Sequence, residues 1–425
     1  MKKVFKGLFI LLVSILFITA LNSSAFVEAK GPVTISFWFP GADSVNDAYF
    51  TGVAREFEKT HPQIKVSVTV LPAAVADIGL KLNAAMLAGT FPDVFSAYLN
   101  FIGTRAPLGD FYPLNSFINK WPDRNDIYES AIDTGMYKNK IFGLGFFPAP
   151  EILVYRKDFF KEAGLDPEKP PTNWDELEQY ALKLTKRDSN GNVIRAGMDI
   201  PAINASVFFR PIMRQNGSLV VNEKKGTPAF TDQNSIEAWD FLIKLKNKSV
   251  SIPYNYQKKE SIPFIKGNAA MSFLQSTQIA TMIKNDPSME KNLGFASVLS
   301  RKKKVAFCGY RLFTIGSSSK HKKESWEFIK FMMSKEQMRK RYKELNIPVV
   351  RKSLEAEFIA GDPELNKIQV EYIKYGKGAE SVPWISVAIK HLHLAWEEAY
   401  NNKKTPAQAL KDAEINLKKD MQSAK

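Results

Sequence analysis

At 425 residues, 45% of them hydrophobic and 24% charged, the chain has a globular composition and is too long for one ordinary core, which excludes a disordered or single-module protein. Its one cysteine, Cys308, excludes an intrachain disulfide, and a formal charge of +15 raises nucleic acid as a partner. The lysines are interleaved with acids, as in Lys157-Asp158 and Lys418-Lys419-Asp420, and only Arg301–Lys304 and Lys320–Lys323 are dense, so solvated loops and no nucleic-acid partner are expected.

The chain opens with Lys2, Lys3 and Lys6, then an uncharged apolar stretch from Gly7 to Leu21, then Ser23-Ser24-Ala25 and Val27-Glu28-Ala29 as processing sites. This layout predicts a cleavable secretory signal over residues 1–29, because so short an apolar run falls below the ~20 residues that span hydrocarbon. Residues 19–32 hold no cysteine, so the mature chain is expected free in a periplasmic or extracellular space, without a lipid anchor. It keeps 396 residues and a charge of +13, enough for two domains.

Val33–Phe39 reads as a buried strand. Ser44 with Asp47 gives a capping box, after which Tyr49, Val53 and Phe57 share one helical face. Ile64–Val70 alternates apolar and polar residues as a strand does. A second helix carries Ile78, Leu82 and Met86 and stops at Gly89, and Pro92-Asp93-Val94-Phe95 opens another strand. The order implies right-handed crossovers and a largely parallel sheet covered by helices. Ile152–Tyr155 is strand-like, and Thr172 with Asp175 caps a helix carrying Leu177, Ala181 and Leu184. Further helices are expected near Ser235–Lys246, around Trp326, Ile329 and Met333, and after the cap Thr405. In the last, Pro406 takes the first position, Gln408 completes the box, and Leu410, Ala413, Leu417 and Met421 form the buried stripe.

Catalytic chemistry has no foothold in these residues. His391 and His393 sit two apart in a helical stretch and aim at different faces, so no shared metal is expected. Gly143-Leu144-Gly145 lacks the third glycine of a dinucleotide fingerprint. Ser317-x-x-Lys320 has no companion motif, and Glu397-Glu398 are adjacent on a helix and cannot flank a glycosidic bond. A lone Cys308 is more often a small buried apolar residue than a nucleophile.

Several blocks recur in a recognisable order: Phe57–Val66, Lys81–Ala85 with Ala88–Val94, Lys140–Leu144 leading into Val154–Phe160, and Pro171–Leu177. Phe264-x-x-Gly267-Asn268-Ala269-Ala270-Met271 and Ala407-x-Ala409–Ala413 follow. In order and spacing these resemble the extracellular solute-binding proteins of the maltose-binding type over nearly the whole mature length. The resemblance implies an α/β fold of the type II periplasmic binding protein kind, two lobes joined by a three-crossing hinge. The first lobe would take 30–147 and 304–346, the second 152–297 and 351–425, with crossings at 148–151, 298–303 and 347–350. It further implies a monomeric receptor, not an enzyme, that needs no cofactor and closes around a carbohydrate for an ABC permease. The alternative is an exported carbohydrate-active or peptidoglycan-recognising enzyme.

A sugar needs aromatic rings against its C–H faces and directed polar groups for its hydroxyls, set in loops at the carboxyl ends of strands. The candidates are Trp38, Phe39 and Asp43 after the first strand, then Tyr98 and Asn100. Gln275 and Thr277 stand in Gln275-Ser276-Thr277, where the family often has Gly-x-Trp. Tyr310 and Arg311 lie where the chain re-enters the first lobe, and Trp384 sits where several relatives place a stacking ring. Arg105, Arg156 and Arg311 are forks suited to an acidic or phosphorylated sugar, should two line the cleft.

Overall fold

The computed structural model describes residues 31–423 apart from Ala42, Lys224 and Val250, so the expected signal segment lies outside the described residues. The sheet-forming strands are Val33–Pro40 (β1), Ile64–Leu71 (β2), Val94–Tyr98 (β3), Leu144–Arg156 (β4), Met271–Gln275 (β5), Leu293–Phe295 (β6), Ala306–Ile315 (β7) and Gly376–Lys377 (β8). The helices that matter for the site are Ser44–Thr60 (α1), Val75–Leu87 (α2), Asn100–Arg105 (α3), Trp174–Leu184 (α4), Ser206–Gln215 (α5), Ser276–Asn285 (α6), Leu365–Lys374 (α7), Ile385–Tyr400 (α8) and Pro406–Ser423 (α9).

These eight strands form one sheet in the order β5-β4-β7-β3-β1-β2, with β6 on β4 and β8 on β7. The parallel arrangement expected from the strand–helix–strand run holds for β1 with β2 and β3. The long strand β7 then returns antiparallel to both β3 and β4, and β5 and β6 pair antiparallel with β4, so the sheet is mixed.

Side chains separate this sheet into two cores and hence two lobes. The first gathers Ile35, Phe37, Phe50, Phe57, Leu82, Phe95 and Phe146 with Phe313, Phe328 and Ile329. The second gathers Ile152–Tyr155, Trp174, Phe208, Trp239, Met271, Trp396 and Leu410. Strand β4 serves both, leaving the first core after Phe146 and entering the second at Ile152. Strand β7 does the reverse, from Ala306 in the second core to Cys308 in the first. Residues 298–303 precede that passage, and Val298 and Leu299 are still in the second core.

The third passage differs from the expectation at 347–350. Val349, Val350, Leu354, Phe358, Val370 and Ile373 pack in the first core, while Leu365, Ile368 and Tyr372 on α7 pack on the second, so α7 touches both lobes before Val382 commits the chain to the second. Arg351 explains the delay. Its buried guanidinium donates to Asp126 at 2.9 Å and Asp123 at 2.7 Å, both in the first lobe, and so keeps the chain there. Residues 374–381 form the strap that leads from α7, which touches both cores, to Val382 in the second.

Two helix starts sit one residue from where the sequence places them. Asp43, not Ser44, caps α1, its carboxylate accepting the backbone N–H groups of Val45 and Asn46 at 3.0 and 2.9 Å. Asn173, not Thr172, caps α4, while Glu176 reaches back to the Thr172 N–H at 2.8 Å. An Asx side-chain oxygen next to a Ser or Thr competes for the same N–H groups. In α9, Thr405 accepts from Gln408 at 3.3 Å, and Leu410, Ala413 and Leu417 are buried.

Candidate functional site

The carboxyl end of β3 lies beside the strap, where a Cβ on Gly378 would stand 3.4 Å from the Leu99 side chain. Helix α3 packs against the start of α8, so closely that a Cβ on Gly103 would lie 2.8 Å from the backbone N and O of Val382. This contact brings together the elements that carry Tyr98 and Asn100 on one side and Trp384 on the other. All three are half-buried, Tyr98 packed against the first core and Trp384 against the second. Trp38 is half-buried too, on the face of β1 opposite Phe37.

Phe39 and Tyr310 do not belong to this edge. Phe39 is fully buried, its ring 5.4 Å from that of Phe37 and 5.0 Å from that of Phe50. Alternation along β1 puts Phe37 and Phe39 on the same inward face. Tyr310 is buried in the first core with its hydroxyl 3.0 Å from the Ser130 hydroxyl. Asp43 is exposed but committed as a helix cap, and the Asn46 N–H it accepts holds its carboxyl below the usual range.

The three arginine forks divide. Arg105 is neutralised by Asp110 at 2.9 Å and Arg156 by Asp158 at 2.5 Å. Among the described residues Arg311 has no carboxylate at ion-pair distance. Its Nη2 donates to the Pro40 carbonyl at 2.6 Å, its Nε is buried without an acceptor, and its guanidinium lies 5.5 Å from the Tyr98 ring and 5.8 Å from that of Phe147. Two arginines in one cleft, the condition for an acidic ligand, are not met by this trio.

On the second lobe Thr277 is exposed on the first turn of α6, and Gln275 caps that helix. The Gln275 amide donates to Glu151 at 2.7 Å, and Tyr256 donates its hydroxyl to the other Glu151 oxygen. Glu151 is 1% exposed and among the described residues no cation pairs with it, so burial pushes its carboxyl up to about 7 against the pull of those two donors. Sequence reasoning passed over this group, yet a signal was present. Glu151 is the only charged residue between Lys140 and Arg156, in an otherwise apolar strand. A charge so placed is buried by its neighbours and must be met by fixed donors.

A cavity of about 360 Å³ between Tyr128, Glu129, Ser130, Lys352, Glu355 and Lys374 offers less. Its polar groups already satisfy one another, Tyr128 donating to Glu355 at 2.8 Å and Lys374 pairing with it at 2.7 Å. The Cys308 thiol, on β7 where it crosses, is not activated for attack, since burial pushes it far above its ordinary range. Half-exposed rings, amides and a partly neutral carboxyl are instead a binding chemistry, suited to apolar faces fringed with hydroxyls.

Known proteins show the same organisation. The multiple sugar-binding protein of Streptococcus mutans is 22% identical over 91% of this chain and 86% of its own length. Mannotriose-bound CpMnBP1 superposes with a TM-score of 0.73 at 25% identity, covering 91% of this chain and 100% of that one. The sugar-binding protein MalE of Xanthomonas citri superposes with a TM-score of 0.79 at 19% identity over 91% and 96% of the two chains. The profile of the bacterial extracellular solute-binding proteins matches residues 41–339, and the chain belongs to that family.

Proposed function

We propose that this chain is the carbohydrate-capturing receptor of an ABC importer, acting by binding and release and not by breaking bonds. The observation that carries this reading is the interlobe edge, where α3, following Tyr98 and opening at Asn100, packs against α8, which opens after Trp384, with both lobes strung on β4 and β7. A ligand touching both sides favours the closed arrangement by its differential affinity for it, and a membrane permease would read that state. Sugar ligands of the relatives support the ligand class. Tyr98, Asn100, Trp384 and Gln275 are the residues we assign to ligand contact, with the buried Glu151 holding the Gln275 amide from behind and Trp38, Arg311 and Thr277 at the margins. Secretion by removal of residues 1–29 accords with the extracellular setting of the family.

Thermal-shift and calorimetric titration of the mature protein against sugars, polyols and sugar phosphates tests this. A ligand present at 100 times its Kd adds about 2.7 kcal/mol to native stability. Absence of any shift across the panel, with hydrolysis of a glycoside detected instead, overturns the proposal.

A further inference from the structure

The strap over residues 374–381 is fastened by charge. Arg210 and Arg214, one turn apart on α5, both reach Glu380, at 2.6 and 2.5 Å, and all three side chains are buried, 5–6% exposed. Burial alone would raise the Glu380 carboxyl, but the two guanidiniums outweigh it and hold it down to about 2. Two cations against one anion leave an excess of positive charge, and the strap's own carbonyls answer it. Arg214 donates to Lys377 O at 2.9 Å and Gly378 O at 2.6 Å, and Arg210 to Gly378 O at 3.2 Å. One residue further on, Ser381 N donates to Glu223 at 3.1 Å, Val382 enters the second core, and Trp384 caps α8.

From this geometry we infer that Glu380, clamped between Arg210 and Arg214, is a positioning residue for ligand capture: it fixes the strap to the second lobe and thereby sets the attitude of Trp384. The inference rests on the carbohydrate-receptor reading above. Buried clusters of this kind are costly to desolvate and of little net worth to stability. Their value here is directional. With Glu380 neutral, two guanidiniums face carbonyl dipoles alone, and the four residues from Glu380 to Trp384 lose their anchor.

Glu380→Gln keeps the shape and removes the charge, and Arg214→Lys keeps the charge but removes the fork onto the Lys377 and Gly378 carbonyls. The emission of Trp384, one of seven tryptophans, is isolated as the difference between each protein and its Trp384→Phe counterpart. Acrylamide quenching of that component in the ligand-free protein should rise about twofold in both variants, an order of magnitude set by release of a half-buried ring. Titration with mannotriose and maltotetraose should show Kd raised about tenfold or more, every tenfold being about 1.4 kcal/mol. In the Trp384→Phe background, Glu380→Gln should cost no further affinity. Unchanged quenching, an unchanged Kd, or an equal loss of affinity without Trp384 each overturns the inference. Should Glu380→Gln not fold, Arg214→Lys decides by the same readouts. Should neither sugar bind the unaltered protein, the carbohydrate reading with these probes fails, and the quenching comparison alone decides whether the clamp holds Trp384.

Discussion

Replacing Glu151 by Gln should make the protein more stable at pH 8 and leave it nearly unchanged at pH 5. The carboxyl is buried, faces only neutral donors, and titrates at about 7 in place of 4.5. A native pKa raised above the unfolded one means that the folded chain holds the proton more tightly. Stability from this group is therefore fully present below about 4.5, falls as pH rises toward 7, and is lost above it. The rise corresponds to about 3 kcal/mol, at about 1.4 kcal/mol per tenfold change in acidity. Glutamine has the same shape, can accept from Tyr256 through its carbonyl, and has no charge to bury. Its amide must meet the Gln275 side chain, which can turn over so that its own carbonyl faces inward, and this adjustment takes back about 1 kcal/mol. A gain of about 2 kcal/mol at pH 8 remains. Asp199, also fully buried and raised to about 7, titrates in both proteins and cancels in the difference. Urea unfolding of both proteins at half-unit steps from pH 5 to 8, extrapolated to water, gives that difference directly. A difference that stays flat with pH, or that shrinks toward pH 8, refutes the account of Glu151 as a buried, unpaired acid.

Three further outcomes are expected. Trp384→Ala should abolish the sugar-induced thermal shift while the ligand-free protein keeps a cooperative transition, because the ring is only half-buried; loss of the transition itself would reassign Trp384 to the core. Arg351→Ala should lower stability by about 2 kcal/mol, chiefly through the lost packing of a buried side chain, since Asp123 and Asp126 stay in reach of water, read as a shift in denaturation midpoint; a shift under a third of that would show the fork to be dispensable. Cys308 is fully buried with its thiol held protonated, so a disulfide reagent at pH 8 should not label the native protein but should react at once in denaturant.

The elements were legible in the sequence because their periods are local. Three of the last helix's four apolar positions, the buried face of α1 and the alternation of β2 are set by residues within two turns of one another. Candidate placement on β1 shows what that same period could still have excluded, since Phe39 lies two residues from the inward Phe37 and shares its face. The third crossing was not legible. Pro348 after a helix reads as a linker, and what retains Val349 and Val350 is Arg351 gripping acids 225 and 228 residues earlier. Site residues divide along the same line. Tyr98 and Trp384 could be named from residue type and order, whereas the Glu151–Tyr256–Gln275 cluster joins positions 105 and 124 residues apart, and only its isolated charge was visible in advance.

The three passages between lobes also explain why a buried ion cluster fastens one of them. Strands β4 and β7 cross side by side, with Pro148 opposite Tyr310 and Pro150 opposite Cys308. Neither proline has an N–H to donate, and both lie before Glu151, where β5 begins to pair with β4. There β4 has only β7 beside it, and a missing donor costs least on an edge. A ladder of paired backbone thus fixes the register of the first two passages without any charged group. The third has only the two residues of β8 against Ala306 and Phe307, too short a ladder to define the path of the eight-residue strap. Gly376 and Gly378, close-packed against Cys308, supply no side chain that could hold it. Orientation must come from groups that act at specific angles, and the Arg210–Glu380–Arg214 clamp with its carbonyl acceptors is the buried device of this kind on the described strap, joined at its end by the Ser381 N–H on Glu223. Its position four residues before Trp384 ties the least constrained passage of the backbone to the ring that the binding edge most needs held still.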